Sequence, residues 1–243
     1  MSPKPAPTHF LCIPLAGPQL ARSWASFRVD VTSPVSFGLP EDVVRPLGTL
    51  HLTLGVMSLK QDGVDKAVEV LKGLKPREVL AEVRASITVS PLTQRYDGKP
   101  AVNPSASSDE GLSVTIRGLH AMQAASKTSV LYAPPADAEG ILYRFCEQLR
   151  QPFRDSGLME DEGRPLLLHA TVVNTIYVKG GGGRGRRRER LTIDARDVLS
   201  RYDDYVWAED LPVAKVAICR MGAKKIEGSD GNEAYEVEAE TEV

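Results

Sequence analysis

Two histidines in this sequence each stand two residues ahead of a threonine inside an apolar run. The first pair, His51 and Thr53, lies in LHLTLGV, and the second, His169 and Thr171, lies in LLLHATVVNT. An imidazole titrates near neutral pH, so one histidine can remove a proton while another donates one. A nearby hydroxyl can hold an oxygen on which negative charge builds. Together these groups suit acid–base chemistry at a phosphodiester, without a metal ion or another cofactor.

Both runs alternate as a β-strand with one face in the protein core does. Side chains of a strand point to opposite faces in turn, so each histidine shares a face with its own threonine, about 7 Å away. The opposite faces are apolar, at Leu50, Leu52, Leu54 and Val56 in the first run and at Leu168, Ala170 and Val172 in the second. We therefore expect two buried strands that each present one imidazole and one hydroxyl.

The elements that must position these strands occur twice at the same spacing. Forty-one residues separate Phe10 from His51, and forty-one separate Thr128 from His169. Each interval starts with a predicted strand and continues with a helix that has one apolar face; the strands are expected at 10–15 and 128–133, and the helices at 18–29 and 141–157. The matching order predicts two pseudo-equivalent lobes that contribute one histidine motif each.

The rest of the chain completes an α+β pattern. A second helix is expected from Asp62, its N-cap, to Leu74, with Pro76 ending it. Further strands are predicted at 80–89, 112–117, 213–221 and near 234–239, and a short helix from Asp194 to about Tyr202. The segments 91–110 and 179–190 predict exposed loops, rich in Pro, Ser and Asp or in Gly and Arg. The predicted organisation is a flexible Pro-rich tail at 1–8 and a single bilobal domain at 9–243.

The composition is that of a soluble globular protein. The 243 residues are 42% hydrophobic and carry a formal charge of −2, so contact with nucleic acid is expected to be local. Three cysteines without a CxxC spacing favour a reducing compartment. The sequence shows neither a signal peptide nor an apolar run of membrane-spanning length. We expect a monomer in the cytoplasm, the nucleus or both, without a membrane partner.

Other chemistries fit these residues less well. Metal ligation by His51 and His169 needs further donors, and neither motif has a carboxylate, cysteine or second histidine at ligand spacing. The glycines at 180–185 match GxGxxG, but an arginine run follows them where a dinucleotide-binding fold needs a helix. His9 and His120 have no threonine partner on the same face and are interpreted as structural. Either histidine motif alone would also fit a core imidazole that hydrogen-bonds a neighbour.

The paired motifs resemble a known superfamily. Two H-x-[ST] motifs related by internal duplication are the hallmark of the 2H phosphoesterases, which include 2′,5′ RNA ligase-like proteins. The segments HFLCIPL, HLTLGVMSL and LLLHATVVNT, the last followed by IDARDVL, are similar to one branch of that superfamily. This branch contains A-kinase-anchoring-protein phosphoesterase-like domains and the first subunit of the activating signal cointegrator complex. The similarity covers nearly the whole chain from His9.

The resemblance implies an α+β, bilobal fold with two pseudo-symmetric lobes of antiparallel sheet, outer helices and a central cleft. It also implies phosphodiester chemistry on RNA ends, 2′,3′-cyclic phosphates or 2′,5′-linked oligonucleotides. His51 and His169 are similar to the catalytic histidines, and Thr53 and Thr171 are similar to the phosphate-binding hydroxyls. Which histidine is the base stays open, because the two titrations are coupled.

The chain departs from the resemblance in two places. The cointegrator subunit usually carries an RNA-binding KH domain ahead of this region, and no GxxG loop precedes Phe10. The Gly/Arg run at 179–190 is outside the family pattern, and it fits a solvated insertion, a steering element for RNA or a nuclear import signal. The main alternative to an enzyme is a non-catalytic nucleotide- or RNA-binding subunit of a transcription or repair complex. A scaffold protein with a vestigial cleft is the third hypothesis.

Overall fold

Two strand–helix–strand units of the same order carry the histidine motifs. The computed structural model describes residues 5–88, 111–160, 163–178, 191–228 and 232–243. The strands in these ranges are β1 (His9–Pro14), β2 (His51–Met57), β3 (Ser113–Arg117), β4 (His120–Ala121), β5 (Val130–Ala133), β6 (Pro135–Ala136), β7 (Ala170–Asn174), β8 (Val206–Pro212), β9 (Lys215–Arg220), β10 (Lys224–Lys225), β11 (Glu233–Ala234) and β12 (Val237–Glu242). The α-helices are α1 (Pro18–Thr32), α2 (Gln61–Gly73), α3 (Pro76–Thr88), α4 (Ile141–Asp155) and α5 (Arg196–Arg201). The predicted loops at 91–110 and 179–190 lie outside the described residues.

The first unit is β1–α1–β2. Helix α1 begins at Pro18, whose fixed φ suits the first helical turn. Its inner face buries Leu20, Phe27 and Val31, and the helix contacts strand β8. Strand β1 then pairs antiparallel with β2. The strand and helix predicted here are confirmed, and the helix extends to Thr32.

The second unit, β5–α4–β7, repeats this order. Helix α4 buries one apolar face, formed by Leu142, Phe145, Leu149 and Phe153. The side chain of Asp137 accepts hydrogen bonds from the backbone N–H groups of Leu142 and Tyr143, at 3.1 and 2.7 Å, and so anchors the start of the helix. Strands β5 and β7 pair antiparallel. The order of strand, helix and histidine-bearing segment thus occurs twice, as predicted.

The described strand pairs are all antiparallel. They form four sheets, with the strand orders β12-β9-β1-β2, β4-β5-β7, β6-β3-β8 and β10-β11. Helices alternate with these antiparallel sheets along the chain, which confirms the predicted α+β class. Within the described ranges, none of the helices is long and apolar enough to cross a membrane.

Strand β2, which begins at His51, and strand β7, which follows His169, are edge strands, and they are in contact. Strand β2 ends the four-stranded sheet, β7 ends a three-stranded sheet, and the two are in contact. The segment that leads into β2 runs antiparallel to β7, with Val44 paired to Val173. Next to this pair, the backbone N–H of Arg45 donates to the carbonyl oxygen of Val172 at 2.8 Å. The boundary between the two units is therefore built from β2 on one side and β7 on the other.

Two predictions between residues 60 and 90 are wrong. Residues 76–88 form helix α3, where a strand was predicted at 80–89. Leu80 and Val83, one helical turn apart, are buried. Helix α2 ends before Pro76, as expected, and Pro76 also begins α3. The β-branched residues near the end of the segment had favoured a strand. Helix α2 starts after Lys60, so Asp62 lies in its first turn and is not its N-cap.

The end of the chain differs from the prediction in its strands. Strand β8, which buries Trp207 and Ala208, was not predicted. The final strand, β12, runs over 237–242, three residues later than expected, and pairs with β9. Helix α5 and strand β9 are confirmed with shorter bounds. Within the predicted tail, the carbonyl groups of Pro5 and Ala6 accept hydrogen bonds from the hydroxyl of Ser58.

Candidate active site

Strand β2 presents His51 and Thr53 on the side opposite to its buried leucines. Both residues are half-buried, whereas the leucines at 50, 52 and 54 are at most 3% exposed. This alternation agrees with the prediction for the first motif. The apolar face fixes the strand in the core, so the imidazole and the hydroxyl are held on the other face.

The prediction that Val56 lies with the leucines is wrong. Between Leu11 and Cys12 the pairing of β1 with β2 shifts, because β2 advances from Thr53 to Gly55 for one step of β1. Such a bulge turns the residues that follow it toward the other face. Val56 accordingly packs against the cluster around Phe10.

The ring of His51 lies against two aromatic side chains. The Phe10 ring is 4.7 Å away between centroids and tilted by 33°, and the Tyr235 ring is 5.4 Å away and nearly perpendicular, at 88°. The Nδ1 atom of His51 is 2.7 Å from the carbonyl oxygen of Thr49. These contacts fix the plane of the imidazole.

The same surroundings disfavour the protonated form of His51. Burial is the main cause that lowers the pKa of His51, to about 4. The hydrogen bond to the Thr49 carbonyl opposes this shift, and the charges of His169 and Arg45 add to it. His51 is therefore neutral at pH 7.

His169 immediately precedes β7. The leucines before it were predicted to lie in a buried strand, and this prediction is wrong. Leu167 is 49% exposed, because the chain enters β7 only at Ala170. The Nδ1 atom of His169 is 2.8 Å from the carbonyl oxygen of Leu167, and the Tyr132 ring lies 5.3 Å from the imidazole at 68°. Thr171, two residues on, pairs with Tyr132 across β5 and β7.

The two imidazoles make equivalent hydrogen bonds. Each Nδ1 atom contacts the carbonyl oxygen of the residue two positions earlier, Thr49 for His51 and Leu167 for His169. A carbonyl oxygen only accepts, so each Nδ1 carries the hydrogen and donates it. The Nε2 atom of each neutral ring is then the proton acceptor, and in the protonated ring the proton donor.

The structure brings the four predicted residues to the boundary between the two units. Thr53 and His169 line the same cavity, of about 580 Å³, which we call the His169 cavity. His51 lies close enough to His169 for the charge of His169 to lower the pKa of His51. Thr171 lies on β7, which contacts β2. Each unit thus contributes one imidazole and one hydroxyl to this boundary.

A second cavity, of about 480 Å³, lies at the other end of the same two strands. We call it the Arg45 cavity; it is lined by residues that precede β2 and by Tyr177, which follows β7. The His169 cavity is lined by residues 53–56 of β2 and by residues that precede β7. The Arg45 cavity thus lies before β2 and after β7, whereas the His169 cavity lies along β2 and before β7. The two cavities therefore flank the histidine pair on opposite sides.

Arg45 is a site residue that the sequence analysis missed. It is only 5% exposed, its guanidinium carbon lies 3.8 Å from the centroid of the Tyr177 ring, and its Nη2 is 3.4 Å from the Tyr235 hydroxyl. The only signal in the sequence is an arginine between apolar residues and a proline, six positions before His51. That pattern alone does not distinguish a buried guanidinium from an exposed one.

Three aromatic neighbours of the imidazoles were missed as well. Phe10 was assigned only to a buried strand, and Tyr132 only to the strand that opens the second unit. Tyr235 lies in the charged segment near residue 240, and no periodicity links it to His51. Their contacts depend on how the sheets assemble, which local patterns do not contain.

The remaining polar residues named in the sequence have local partners. His9 is buried and contacts the Thr8 hydroxyl at 2.8 Å, and His120 stacks on Tyr132 at 5.7 Å. The thiols of Cys12 and Cys219 lie 3.8 Å apart on the side of the sheet that Phe10 occupies. Within the part of the chain that is described, no three His, Cys, Asp or Glu side chains form a group that could hold a metal ion. Metal independence stays a prediction.

Comparison with known proteins agrees with this architecture. Residues 7–243 match the family model of the AKAP7 2'5' RNA ligase-like domain. The uncharacterized protein C15D4.13c of Schizosaccharomyces pombe is 25% identical over 227 residues, covering 93% of this chain and 91% of that protein. Activating signal cointegrator 1 complex subunit 1 of Mus musculus is 23% identical over 215 residues, covering 82% of this chain and 54% of that protein. The chain therefore spans about half the length of that second relative.

A solved structure has a similar fold at low sequence identity. The structure of E. coli LigT complexed with NADP+ aligns with 99% of this chain and 99% of its own, with a TM-score of 0.50 and 13% identity. At this identity the likeness concerns the fold alone. The alignment covers both strand–helix–strand units, so the similarity concerns their arrangement as well as the individual elements.

Proposed function

Because the chain belongs to the AKAP7 2'5' RNA ligase-like family, a branch of the 2H phosphoesterases, we propose that it is a metal-independent phosphodiesterase for RNA ends or short oligonucleotides. Membership carries phosphoesterase activity in general. The substrates we propose are 2′,5′-linked oligonucleotides and 2′,3′-cyclic phosphates. The crystal structure of E. coli LigT in complex with NADP+ agrees with a nucleotide ligand.

His51 is the general base in this proposal. Its pKa of about 4 leaves the ring neutral at pH 7, and its Nδ1–H is occupied by the Thr49 carbonyl. The lone pair on Nε2 is therefore available to remove a proton from a hydroxyl that attacks phosphorus. A base with a low pKa is a weak one, so the rate depends on close positioning of that hydroxyl.

His169 is the general acid. The reaction needs one proton donor for the leaving oxygen, and its Nδ1–H is likewise held by a carbonyl, which leaves Nε2–H as the donor in the protonated ring. Nε2 of His51 takes the proton of the sugar hydroxyl beside the phosphodiester, and that oxygen bonds to phosphorus. The bond from phosphorus to the leaving oxygen breaks, and His169 protonates that oxygen. Water opens the resulting cyclic phosphate with the two roles reversed.

Thr53 and Thr171 hold the phosphoryl oxygens. Each hydroxyl lies two residues along its strand from an imidazole, so one hydroxyl comes from each side of the boundary. Hydrogen bonds to these oxygens strengthen as charge builds on them. The His169 cavity, which includes Leu166 and Leu167, offers an apolar surface for the leaving nucleoside, and its volume is typical of a small-molecule site.

The convergence of the two histidine motifs on one boundary, where β2 contacts β7 and Thr53 and His169 line the same cavity, is the observation that carries the proposal. It relates two residues that are far apart in sequence and whose Nδ1 atoms are bonded alike. A histidine that served only packing would not need an equivalent partner across the boundary.

Turnover of defined substrates tests the proposal. Purified protein is assayed with 2′,3′-cyclic AMP and 2′,5′-linked oligoadenylates, with and without EDTA. We expect turnover that survives EDTA and falls at least 10³-fold in His51→Ala and in His169→Ala. His120→Gln, which changes a histidine outside the pair, serves as the matched control. Loss of wild-type activity on adding EDTA would reject the mechanism.

The alternative is a non-catalytic nucleotide- or RNA-binding subunit of a transcription or repair complex. The similarity to activating signal cointegrator 1 complex subunit 1 supports it. Both hypotheses use the same boundary and differ in turnover. If calorimetry detects micromolar nucleotide binding while no substrate is converted over hours, the binding subunit is the better description.

A further inference from the structure

Arg45 is a buried cation without a carboxylate partner among the described residues. It is 5% exposed, and no Asp or Glu in the described ranges lies within ion-pair distance of it. Its guanidinium makes one long hydrogen bond, to the Tyr235 hydroxyl at 3.4 Å, and stacks on the Tyr177 ring. A guanidinium has five N–H donors. Most of those of Arg45 therefore have no hydrogen-bond acceptor among the described residues.

The backbone of Arg45 is fixed on both sides. Its N–H donates to the carbonyl of Val172 on β7 at 2.8 Å. Its carbonyl accepts the indole N–H of Trp24, also at 2.8 Å. The guanidinium is held by its stacking on Tyr177 and its contact with Tyr235. The side chain is therefore in place before any ligand arrives, which reduces the ordering cost of binding.

Burial of an uncompensated charge is unfavourable, and an anion would relieve it. Removal of a cation from water costs several kcal/mol unless an opposite charge and hydrogen bonds replace the lost solvent. Arg45 lines the Arg45 cavity, so its remaining donors open into a space that a ligand can enter. Guanidinium groups bind phosphate through two parallel N–H bonds. The chemistry of this position is that of an oxyanion site.

The other charges around this cavity leave Arg45 as its deepest cation. Arg28 lies at the rim and pairs with Glu41, which is 74% exposed, at 3.4 Å. Lys225 is exposed, and the acidic groups of Asp42 and Glu233 also line the wall. These carboxylates oppose a highly charged ligand that fills the whole cavity. They are compatible with one phosphate held against Arg45.

One tyrosine side chain connects Arg45 to the reaction centre. The ring of Tyr235 lies against the imidazole of His51, and its hydroxyl contacts Nη2 of Arg45. Tyr235 therefore bridges the guanidinium and the imidazole, and Arg45 lies on the His51 side of the reaction centre.

We propose that Arg45 binds the phosphate one nucleotide away from the cleaved linkage, on the His51 side. This inference rests on the proposed function, in which His51 takes the proton from the sugar that precedes the cleaved bond. That sugar then faces the Arg45 cavity, and its own 5′-phosphate reaches Arg45. The preferred substrates are oligonucleotides with a 5′-phosphate on this nucleotide, and a cyclic mononucleotide uses only part of the site.

A matched pair of dinucleotides tests the assignment. The 2′,5′-linked diadenylate is assayed with and without a 5′-phosphate. For the wild type we expect kcat/KM to be about 10- to 100-fold higher with the phosphate, the value of a hydrogen bond to a charged group. Arg45→Met removes the charge at similar size, and the ratio of the two substrates falls to near one. Arg45→Lys keeps part of the ratio, because it retains a charge without the two parallel bonds.

Arg28→Met is the control. It removes a cation of the same cavity that Glu41 already neutralises, so the substrate ratio keeps its wild-type value. A wild type with no preference for the phosphorylated dinucleotide would overturn the assignment while leaving the phosphodiesterase intact. An Arg45→Met variant that loses activity equally on both substrates would also overturn it, because Arg45 would then act on the cleaved phosphate itself.

Equilibrium binding separates this inference from the proposed function. If the wild type converts neither these dinucleotides nor 2′,3′-cyclic AMP, the phosphodiesterase proposal fails. Calorimetry with the two dinucleotides then tests the anion site independently. Tighter binding of the phosphorylated form that disappears in Arg45→Met keeps the site. Equal affinity for both forms removes it.

Discussion

Tyr235 stands with its ring edge against the imidazole of His51, 5.4 Å between centroids and at 88°, although 184 residues separate them in sequence. The Phe10 ring also lies against this imidazole. Together, Tyr235 and Phe10 shield the imidazole from water. The low pKa of His51 has burial as its largest cause, so this aromatic contact connects packing to acid–base behaviour.

The pH profile of the wild type reports this shift. Cleavage of a 2′,5′-linked oligoadenylate requires neutral His51, so kcat/KM for this substrate falls as the pH drops through about 4, the pKa of His51. An ordinary histidine would produce the same fall near pH 6.5. We expect the acidic limb of the profile of kcat/KM against pH to lie well below 6. An acidic limb at 6.5 in folded protein would show that His51 is not the base.

Removal of the Tyr235 ring exposes the imidazole to water. In Tyr235→Ala the desolvation weakens, so the pKa of His51 rises toward 6.5 and the acidic limb of kcat/KM moves up by more than about one pH unit. Tyr235→Phe keeps the ring and removes only the hydroxyl, and its limb stays near that of the wild type. Equal shifts in the two variants would assign the effect to the hydroxyl instead.

The tautomers of the two histidines are directly observable. Both Nδ1 atoms donate to carbonyl oxygens, so at a pH where the rings are neutral each carries its hydrogen on Nδ1 and leaves Nε2 bare. Long-range 1H–15N correlation spectra of the imidazoles distinguish the tautomers. Finding Nε2–H in either ring would contradict the hydrogen bonds that orient the pair.

The threonine hydroxyls are expected to act in the transition state. Thr53→Val and Thr171→Val keep the shape of the side chain and remove a donor to the phosphoryl group, which lowers kcat about 10- to 100-fold each, as expected for a hydrogen bond to a charged group. Thr53→Ser and Thr171→Ser keep the hydroxyl and retain most of the rate. Steady-state kinetics separates kcat from KM, and an effect on KM alone would place the hydroxyls in substrate binding only.

His51 also makes stability depend on pH. In the unfolded chain it binds a proton near pH 6.5, and in the folded protein only near 4. Between these values the unfolded state holds more protons, so the free energy of unfolding falls as the pH falls through this window. The stabilisation is fully present above 6.5, and its loss amounts to at most roughly 3 kcal/mol at 1.36 kcal/mol per pKa unit.

Denaturant unfolding between pH 7 and pH 4 measures this loss. His51→Gln lacks the titrating ring, so its free energy of unfolding declines less steeply than that of the wild type. Thr53→Ser keeps both imidazoles and follows the wild-type slope. Parallel slopes for His51→Gln and the wild type would mean that the ring is not desolvated in the folded protein.

Much of the fold can be predicted from local patterns in the sequence. The alternation around His51 predicts a half-buried strand, and the helical spacing of Leu20 and Phe27 predicts α1. The equal intervals before His51 and His169 predict two units of one order. The errors fall where local signals compete: the apolar spacing of Leu80 and Val83 supports a helix, but the β-branched residues after them favoured a strand.

Local sequence patterns predict only part of the candidate site. The histidines and threonines are found from the sequence because each pair shares a strand. Arg45, Tyr235 and Tyr132 join them through pairing between sheets and across the boundary of the two units. No period along the chain encodes such a contact, and the bulge that redirects Val56 depends on the partner strand as well.

The sheet order β12-β9-β1-β2 has a consequence for how the protein is made. The ribosome releases β1 and β2 early, but the other edge of β1 stays unpaired until β9 has been synthesised, more than 150 residues later. An open strand edge can pair wrongly with other chains, and pairings between distant residues form slowly. Newly made chains are therefore most vulnerable to aggregation during this interval, and the aromatic surroundings of His51 are complete only after Tyr235 has been synthesised.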